Sequence, residues 1–316
     1  MAQHVAQLAE QVRREMAKAI VGQREVVDQL LLVLLCGGHA LLEGVPGLAK
    51  TLAVKTLAQI GQLQFGRVQC TPDLMPADVV GTNVFNMATS SFSLHRGPIF
   101  TDLLLVDEIN RTPPRTQAAL LESMEERQVT IDGTSHPLSR FFTVLATQNP
   151  IEFEGTYPLP EAQLDRFLMK IRVAYPSAAE ESQILEHYHQ GFDAKQVSRI
   201  VFESLPVGWL DTAREELRLV RVEPHLFNYV STIARRSREW PSLSLGASPR
   251  AALALLFVAK GTAALEGRDF LIPDDVKAIA PAVLRHRLLL KPEADLDGIT
   301  ADQVVAEIVA AVEVPK

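Results

Sequence analysis

Along the first twenty residues, Val5, Leu8, Val12, Met16 and Ile20 recur three or four positions apart, on one face of an amphipathic helix. The period then shortens. From residue 39 to about 175, five β-type runs (HALLE, FGRVQ, DLLLVDE, FFTVLAT and LMKIRV) alternate with helical patterns. Strands joined in this way by helices predict an α/β fold, with a five-stranded parallel sheet flanked by helices on both faces. DLLLVD is apolar almost throughout, as a strand buried on both faces must be. Two segments interrupt the alternation. NVFNMATSSFSL, residues 83–94, reads as two brief strands about a polar turn, and QVTIDGTSHPL, residues 128–138, carries an Asp132-Gly133 hairpin signal. Both are expected to project as hairpins.

After Pro176 the strands give way to helical spacing in HLFNYVSTIARRS, SPRAALALLFVAKGTAALEG and PDDVKAIAPAVLRHRL. The pairs Glu223-Pro224, Ser248-Pro249 and Pro273-Asp274 open them, Pro suiting the first helical turn and Ser or Asp able to cap it. An α/β domain over 1–175 and a smaller all-helical domain over 176–316 follow, and 316 residues supply enough chain for two cores.

Composition is that of an ordinary globular protein, with 47% hydrophobic and 22% charged residues, which argues against disorder. A net charge of −7 and the absence of a long basic run argue against nucleic acid as a partner class, and RRSR at 235–238 reads as a solvated helix face. Cys36 and Cys70 stand apart without metal-ligand spacing, which fits a reduced cytoplasmic setting. The amino terminus lacks a signal peptide's apolar stretch, and LLLVLL at 30–35 is far shorter than the roughly 20 residues of a membrane span.

Between HALLE and the helical TLAVKTLAQI lies GVPGLAKT, residues 44–51, the setting of a phosphate-binding loop. Backbone N–H groups and the positive end of the helix would face phosphates there, with Lys50 reaching the β and γ oxygens and Thr51 a magnesium ion. Gly44 and Gly47 allow a tight turn. Ala49 stands where a glycine is usual: it costs about 1 kcal/mol if its φ is positive and nothing if the helix begins earlier. LLLVDE ends in Asp107 and Glu108, suited to holding magnesium and to orienting and deprotonating a water. Alone, such a pair could be a strand's solvated end; beside the loop it points to nucleotide chemistry. Asn149 ends a third strand at the same edge, where it could touch a γ-phosphate or merely form a turn before Pro150. Arg166 precedes the fifth strand, as a catalytic cation or as an ion-pair partner of Asp165 or Glu161. Arg250 lies in a helix's first turn, where the dipole disfavours a cation unless an anion is near, whether phosphate or carboxylate.

These elements together resemble the AAA+ ATPases, and specifically the MoxR family. GVPGLAKT, LLLVDEINRTPPRTQAALLESMEERQVTIDG, VLATQNPIEFEGTYPLPEAQLDRF and GASPRAAL carry the resemblance, which runs from IVGQ at Ile20 to the carboxyl-terminal helices. It implies a P-loop core with a small helical lid, and ATP with Mg2+ as cofactors. By motif, Gly44, Val45, Pro46, Gly47, Leu48, Ala49, Lys50 and Thr51 resemble Walker A in an alanine variant that settles the loop as a nucleotide site. Asp107 and Glu108 match Walker B, Asn149 sensor 1, Arg166 the arginine finger, Arg250 sensor 2, and Val21 and Gly22 the segment beside adenine. Thr51 and Asp107 would be the metal ligands.

The resemblance further implies a homo-oligomer, expected to be a hexameric ring, with ATP between subunits. Lys50, Thr51, Asp107, Glu108, Asn149 and Arg250 are assigned to one protomer and Arg166 to its neighbour; Arg111 and Arg115 could also reach across. Losing the γ-phosphate is expected to change the lid angle through Arg250. Chaperone-like maturation, activation or metal insertion of a target protein complex is implied, with a separate von Willebrand factor A domain protein as partner. A magnesium-chelatase-like subunit, a DNA-directed motor and a non-catalytic ATP-dependent binding switch are the rival readings. Glu108 weighs against the switch, which needs no water-activating carboxylate.

Overall fold

The computed structural model of the chain describes residues 3–88, 90–149 and 156–315. Thr89 of the first hairpin, and 150–155 within the third motif-bearing stretch, lie outside them. The helices are α1 (Gln3–Met16), α2 (Arg24–Cys36), α3 (Lys50–Ile60), α4 (Pro114–Glu126), α5 (Ala178–His189), α6 (Trp209–Leu219), α7 (Pro224–Arg238), α8 (Pro249–Leu265), α9 (Pro273–Leu284) and α10 (Ala301–Ala311), apart from shorter turns. The central strands are β1 (Ala40–Glu43), β2 (Phe65–Gln69), β3 (Leu103–Asp107), β4 (Thr143–Gln148) and β5 (Met169–Arg172).

All five expected strands form one parallel sheet in the order β2, β3, β4, β1, β5. Alternation along each strand assigns its faces. Leu103 and Leu105 join the cluster built with α1, α2 and α3, whereas Leu104 and Val106 join the cluster under α4. Leu42 and Leu41 divide in the same way. The apolar run of β3 is therefore a consequence of helices covering both faces.

Val5, Leu8, Val12 and Met16 of α1 are buried, as their spacing predicts. Gly81–Asn86 pairs antiparallel with Ser91–Arg96 as the first hairpin, and Gln128–Ile131 with Thr134–Pro137 as the second. The second turns through Asp132 and Gly133 at φ 49° and 77°, the left-handed pair that the dipeptide signalled.

The helices after residue 176 share the core of the sheet instead of closing a second one. One continuous apolar cluster joins Leu30, Leu34, Leu57 and Ile171 to Leu255, Val258, Ala280 and Val305. Trp209 Nε1 donates to Gly61 O at 3.0 Å, which docks α6 beneath α3. Ser248 caps α8, accepting from Ala251 N at 3.1 Å. At α9 the expected cap shifts by one: Asp275, not Asp274, accepts the backbone N–H of Ile272 at 3.0 Å, because Pro273 itself opens the helix.

A polar seam holds the lid to the sheet. Arg287 is buried and donates from Nε to Asp165 Oδ1 at 2.8 Å, from Nη1 to Leu168 O at 3.0 Å and from Nη2 to Phe167 O at 2.6 Å. Burial pushes its pKa down to about 10, against the pull of Asp165, so it remains a cation near neutrality. His39 before β1 accepts at Nδ1 from Val144 N (2.9 Å) and donates from Nε2 to Met124 O (3.1 Å), one neutral tautomer with its pKa pushed by burial down to about 4.

Candidate nucleotide site

After β1 the backbone turns through Gly47 at φ 89° and Ala49 at φ 55°, and α3 begins at Lys50. Ala49 thus adopts the left-handed conformation at a cost of about 1 kcal/mol, which the loop accepts to aim the first amides of α3 into a cavity. Gly44 is fixed by space, since a Cβ there would approach Val173 O to 2.7 Å. Lys50 Nζ donates to the carbonyl of Gly44 and, at 3.3 Å, to that of Val45. Burial holds its pKa below the ordinary lysine value, while Asp107, Glu108 and Glu43 pull it upward.

The cavity beside this loop measures about 670 Å³ and lies at the carboxyl edge of the sheet. It is lined by Pro46 through Thr51 from the loop, by Asp107 and Glu108 from the end of β3, and by Asn149 just after β4. Three separate crossovers therefore converge as the motifs require. Gly44 and Val45 stand behind the lining and serve it through Lys50.

Glu108 departs from the strand at φ 60° and ψ 52°, a left-handed conformation that ends β3 abruptly and turns its side chain away from that of Asp107. Thr147 stabilises this bend: its hydroxyl accepts from Glu108 N at 2.9 Å and donates to Asp107 Oδ1 at 3.3 Å. A single hydroxyl on the neighbouring strand thus holds the Asp107 carboxylate and the Glu108 backbone together. Arg67 Nε donates to Asp107 Oδ2 at 2.7 Å, and its Nη2 to Gln69 Oε1 at 3.0 Å; Gln69 Nε2 donates in turn to Glu108 Oε2 at 3.2 Å. Arg111 Nε reaches the same Glu108 oxygen at 3.3 Å. Arg115 is exposed in the first turn of α4.

The donor set fits magnesium held on a nucleotide. Among the described residues no group of three or more His, Cys, Asp or Glu could cage an ion. Thr51 and Asp107, lining one cavity, offer two oxygens, and Mg2+ commonly takes only one or two protein ligands beside phosphates and water.

Val21 lines a smaller recess of about 120 Å³ with Ile20, Leu48, Ile184, His187 and Tyr188, sized and apolar enough for the face of a base. Gly22 does not line it. Its φ of 67° and the adjacent Glu180 carboxylate, which a Cβ would strike, account for glycine there.

The two remaining arginines lie elsewhere. Arg166 Nη2 pairs with Glu125 Oε2 at 3.0 Å while its Nη1 donates to Leu121 O at 2.8 Å, and Arg250 Nη1 pairs with Glu125 Oε1 at 3.3 Å. Glu125 lies in the last turn of α4, beside the Met124 carbonyl that His39 holds at the amino edge of the sheet. Strands of four to six residues put the two edges roughly 13–20 Å apart at about 3.3 Å per residue, beyond the reach of an arginine side chain. Arg250, expected at the nucleotide of its own chain, is therefore placed beside Arg166 and away from that chain's loop. Arg166 finds Glu125 and not Asp165 or Glu161, because Asp165 is taken by Arg287.

Arg67, Gln69 and Thr147 escape a motif-based reading. A basic and two polar residues in otherwise apolar strands are the signal that marks them, but their partners lie on neighbouring strands.

A family profile described as "ATPase family associated with various cellular activities (AAA)" matches residues 39–169, and the AAA lid domain profile matches 235–308. The chain is 44% identical over 298 residues to the uncharacterized protein YeaC of Bacillus subtilis, covering 94% of this chain and 92% of the relative. It is 43% identical over 311 residues to chaperone MoxR1 of Mycobacterium tuberculosis, covering 96% and 81%. A crystal structure of a candidate ATPase from Cytophaga hutchinsonii, 40% identical, superposes with a TM-score of 0.88 over 100% of this chain and 97% of that one.

Proposed function

The chain belongs to the MoxR family of AAA+ ATPases, and on that premise we propose that it hydrolyses ATP in the cavity at the carboxyl edge of its sheet, at the contact between two copies. The observation that carries this reading is the convergence of Lys50, Thr51, Asp107, Glu108 and Asn149 on one cavity while Arg166 and Arg250 face outward together from the other edge. A second copy bringing its amino edge to the first copy's cavity completes the set.

In this mechanism the amides of 47–51 and Lys50 cradle the β- and γ-phosphates, and Lys50 exchanges the loop carbonyls for phosphate oxygens. Thr51 and Asp107 would hold magnesium, which would supply charge neutralisation for the transferring group. Glu108 takes a proton from the attacking water, and Asn149 orients that water or the γ-phosphate. Arg166 and Arg250 of the neighbour meet the charge that develops on the γ-phosphoryl oxygens. Their present tie to Glu125, which is itself partly exposed, is worth only about 0–1 kcal/mol each, so a phosphate can take them over. A lid secured by Arg287 and a shared core favours transmission through the subunit contact over a change in lid angle within one chain.

Work on a target protein is the accompanying proposal: chaperone-like maturation, activation or metal insertion, in a hexameric cytoplasmic ring, with a separate von Willebrand factor A domain protein. The chaperone among the relatives supports it, and among the described residues no helix is long and apolar enough to cross a membrane.

Phosphate release from ATP tests the nucleotide reading. Lys50→Ala is expected to lower turnover at least tenfold; a variant as fast as the unmodified protein would sink it. Arg67 supplies a second check. Its ion pair with Asp107 must open before that carboxylate can meet magnesium, and Arg67 is half exposed, so the pair is worth at most about 1 kcal/mol. Arg67→Ala is therefore expected to bind Mg-ATP about two- to fivefold more tightly in an equilibrium titration with a fluorescent analogue. Weaker binding would instead make Arg67 a direct phosphate contact.

A further inference from the structure

Helix α5 is twelve residues long and buries none of them. Yet Leu185 is 72% and Tyr188 49% exposed, and Glu181, Leu185 and Tyr188 follow at intervals of four and three along one stripe. Leu185 and Tyr188, one turn apart, put exposed apolar surface on this stripe.

On the lid, α7 and α8 leave an open apolar groove of about 490 Å³. Val230 and Ala234 form its floor, Phe227 (49% exposed) and Leu253 (55%) its walls, and Arg235 and Arg238 the rim. Pro249 lines it as well, so the groove begins next to Arg250.

We propose that the groove between α7 and α8 of one copy receives helix α5 of the next copy, Leu185 entering between Phe227 and Leu253 while Glu181 meets Arg235 and Arg238 and Tyr188 stays at the nucleotide cavity of its own chain. Charge is complementary: an acidic residue on the apolar stripe faces a rim of two arginines. Position agrees too. Tyr188 lines the nucleotide cavity of its own chain, and the groove adjoins Arg250, so seating α5 in the groove carries a neighbour's Arg250 toward that cavity. This second agreement rests on the function proposed above; the match of stripe and groove does not. Groove and stripe are different patches of one chain, so the contact is head-to-tail and can close a ring.

The test uses Leu185→Cys and Leu253→Cys proteins, each full length, mixed with Mg2+ and a non-hydrolysable ATP analogue and then treated with a short thiol cross-linker. A cross-linked pair of chains is expected from the mixture and from neither variant alone. Leu185→Cys mixed with Leu296→Cys, at a residue 88% exposed on the lid outside the groove, sets the background, as does the unmodified chain with its buried Cys70 and partly buried Cys36. Cross-linking no greater than that background overturns the proposal, whether or not oligomers form. In parallel, Leu253→Glu is expected to raise the concentration needed for assembly at least tenfold with an unchanged melting temperature, because its side chain is mostly in solvent; unchanged assembly counts against the groove. Should mixed Lys50 and Arg166 variants regain turnover without this cross-link, the docking is wrong and the arginine assignment stands. A cross-link without regained turnover means the opposite: the docking stands and Arg166 is not the shared residue.

Discussion

Arg166→Ala is expected to lose about 10³-fold in ATP turnover, and to regain part of it when mixed with the equally inactive Lys50→Ala protein. The argument is geometric. Arg166 and Lys50 sit at opposite edges of one sheet, so each variant retains the half of a site that the other lacks, provided the site is shared. A contact between an intact loop from one chain and an intact Arg166 from the other then restores a complete set. Removing the guanidinium leaves the charge on the transferring phosphoryl group unmatched, and an arginine supplied in trans contributes about 10³-fold or more in rate. Folding should hardly change, since the Arg166–Glu125 pair is partly exposed and its loss costs about 0–1 kcal/mol. Phosphate release after subunit exchange is the readout. If mixed oligomers form and stay inactive, Arg166 is not the shared residue. Arg250, on the same Glu125, is then the next to exchange, followed by Arg111 and Arg115.

Asp165→Ala is expected to cost about 3 kcal/mol of stability, although Asp165 has no part in the nucleotide cavity. Its carboxylate is the charged partner of the buried Arg287 and accepts from Ser248 Oγ at 3.0 Å, the residue that caps α8. Without it a guanidinium stays buried with only carbonyl dipoles around it. Those dipoles, from Phe167, Leu168 and Val283, keep the cost near the lower end of the usual range for a broken buried pair. A fall of roughly 5–10 °C in the thermal midpoint follows for a chain of this size. The companion Asp165→Leu with Arg287→Met should recover much of it, because two apolar groups then fill the seam without a stranded charge. A midpoint unchanged by Asp165→Ala would mean that the carbonyl cage alone satisfies Arg287.

Much of the sheet could be read directly from the chain because its information is local. Strand alternation, an apolar β3, Asp132-Gly133 and the Ser248 cap each depend on neighbours within a few residues, so sequence spacing carries them. The same holds for the phosphate loop and the DE pair, whose chemistry needs only a strand before and a helix after. Even there a local choice stayed open: nothing in GVPGLAKT told whether Ala49 turns left-handed, and the packing of Gly44 against Val173 belongs to the folded loop.

What the sequence by itself determined is thus the elements, their type and the composition of the phosphate end of the site. Tertiary structure alone decided where the lid went and, with it, the meaning of Arg250. The helices from α6 onward could swing over their own chain's cavity or pack behind the sheet, and the same helices with the same caps serve either arrangement. The apolar faces of α2 and α8 and the buried Arg287 choose the second, because desolvated surface and a buried charge find partners only there. The cross-strand settings by Arg67, Gln69 and Thr147 were likewise invisible, since each joins residues about 40 positions apart that only strand order makes adjacent.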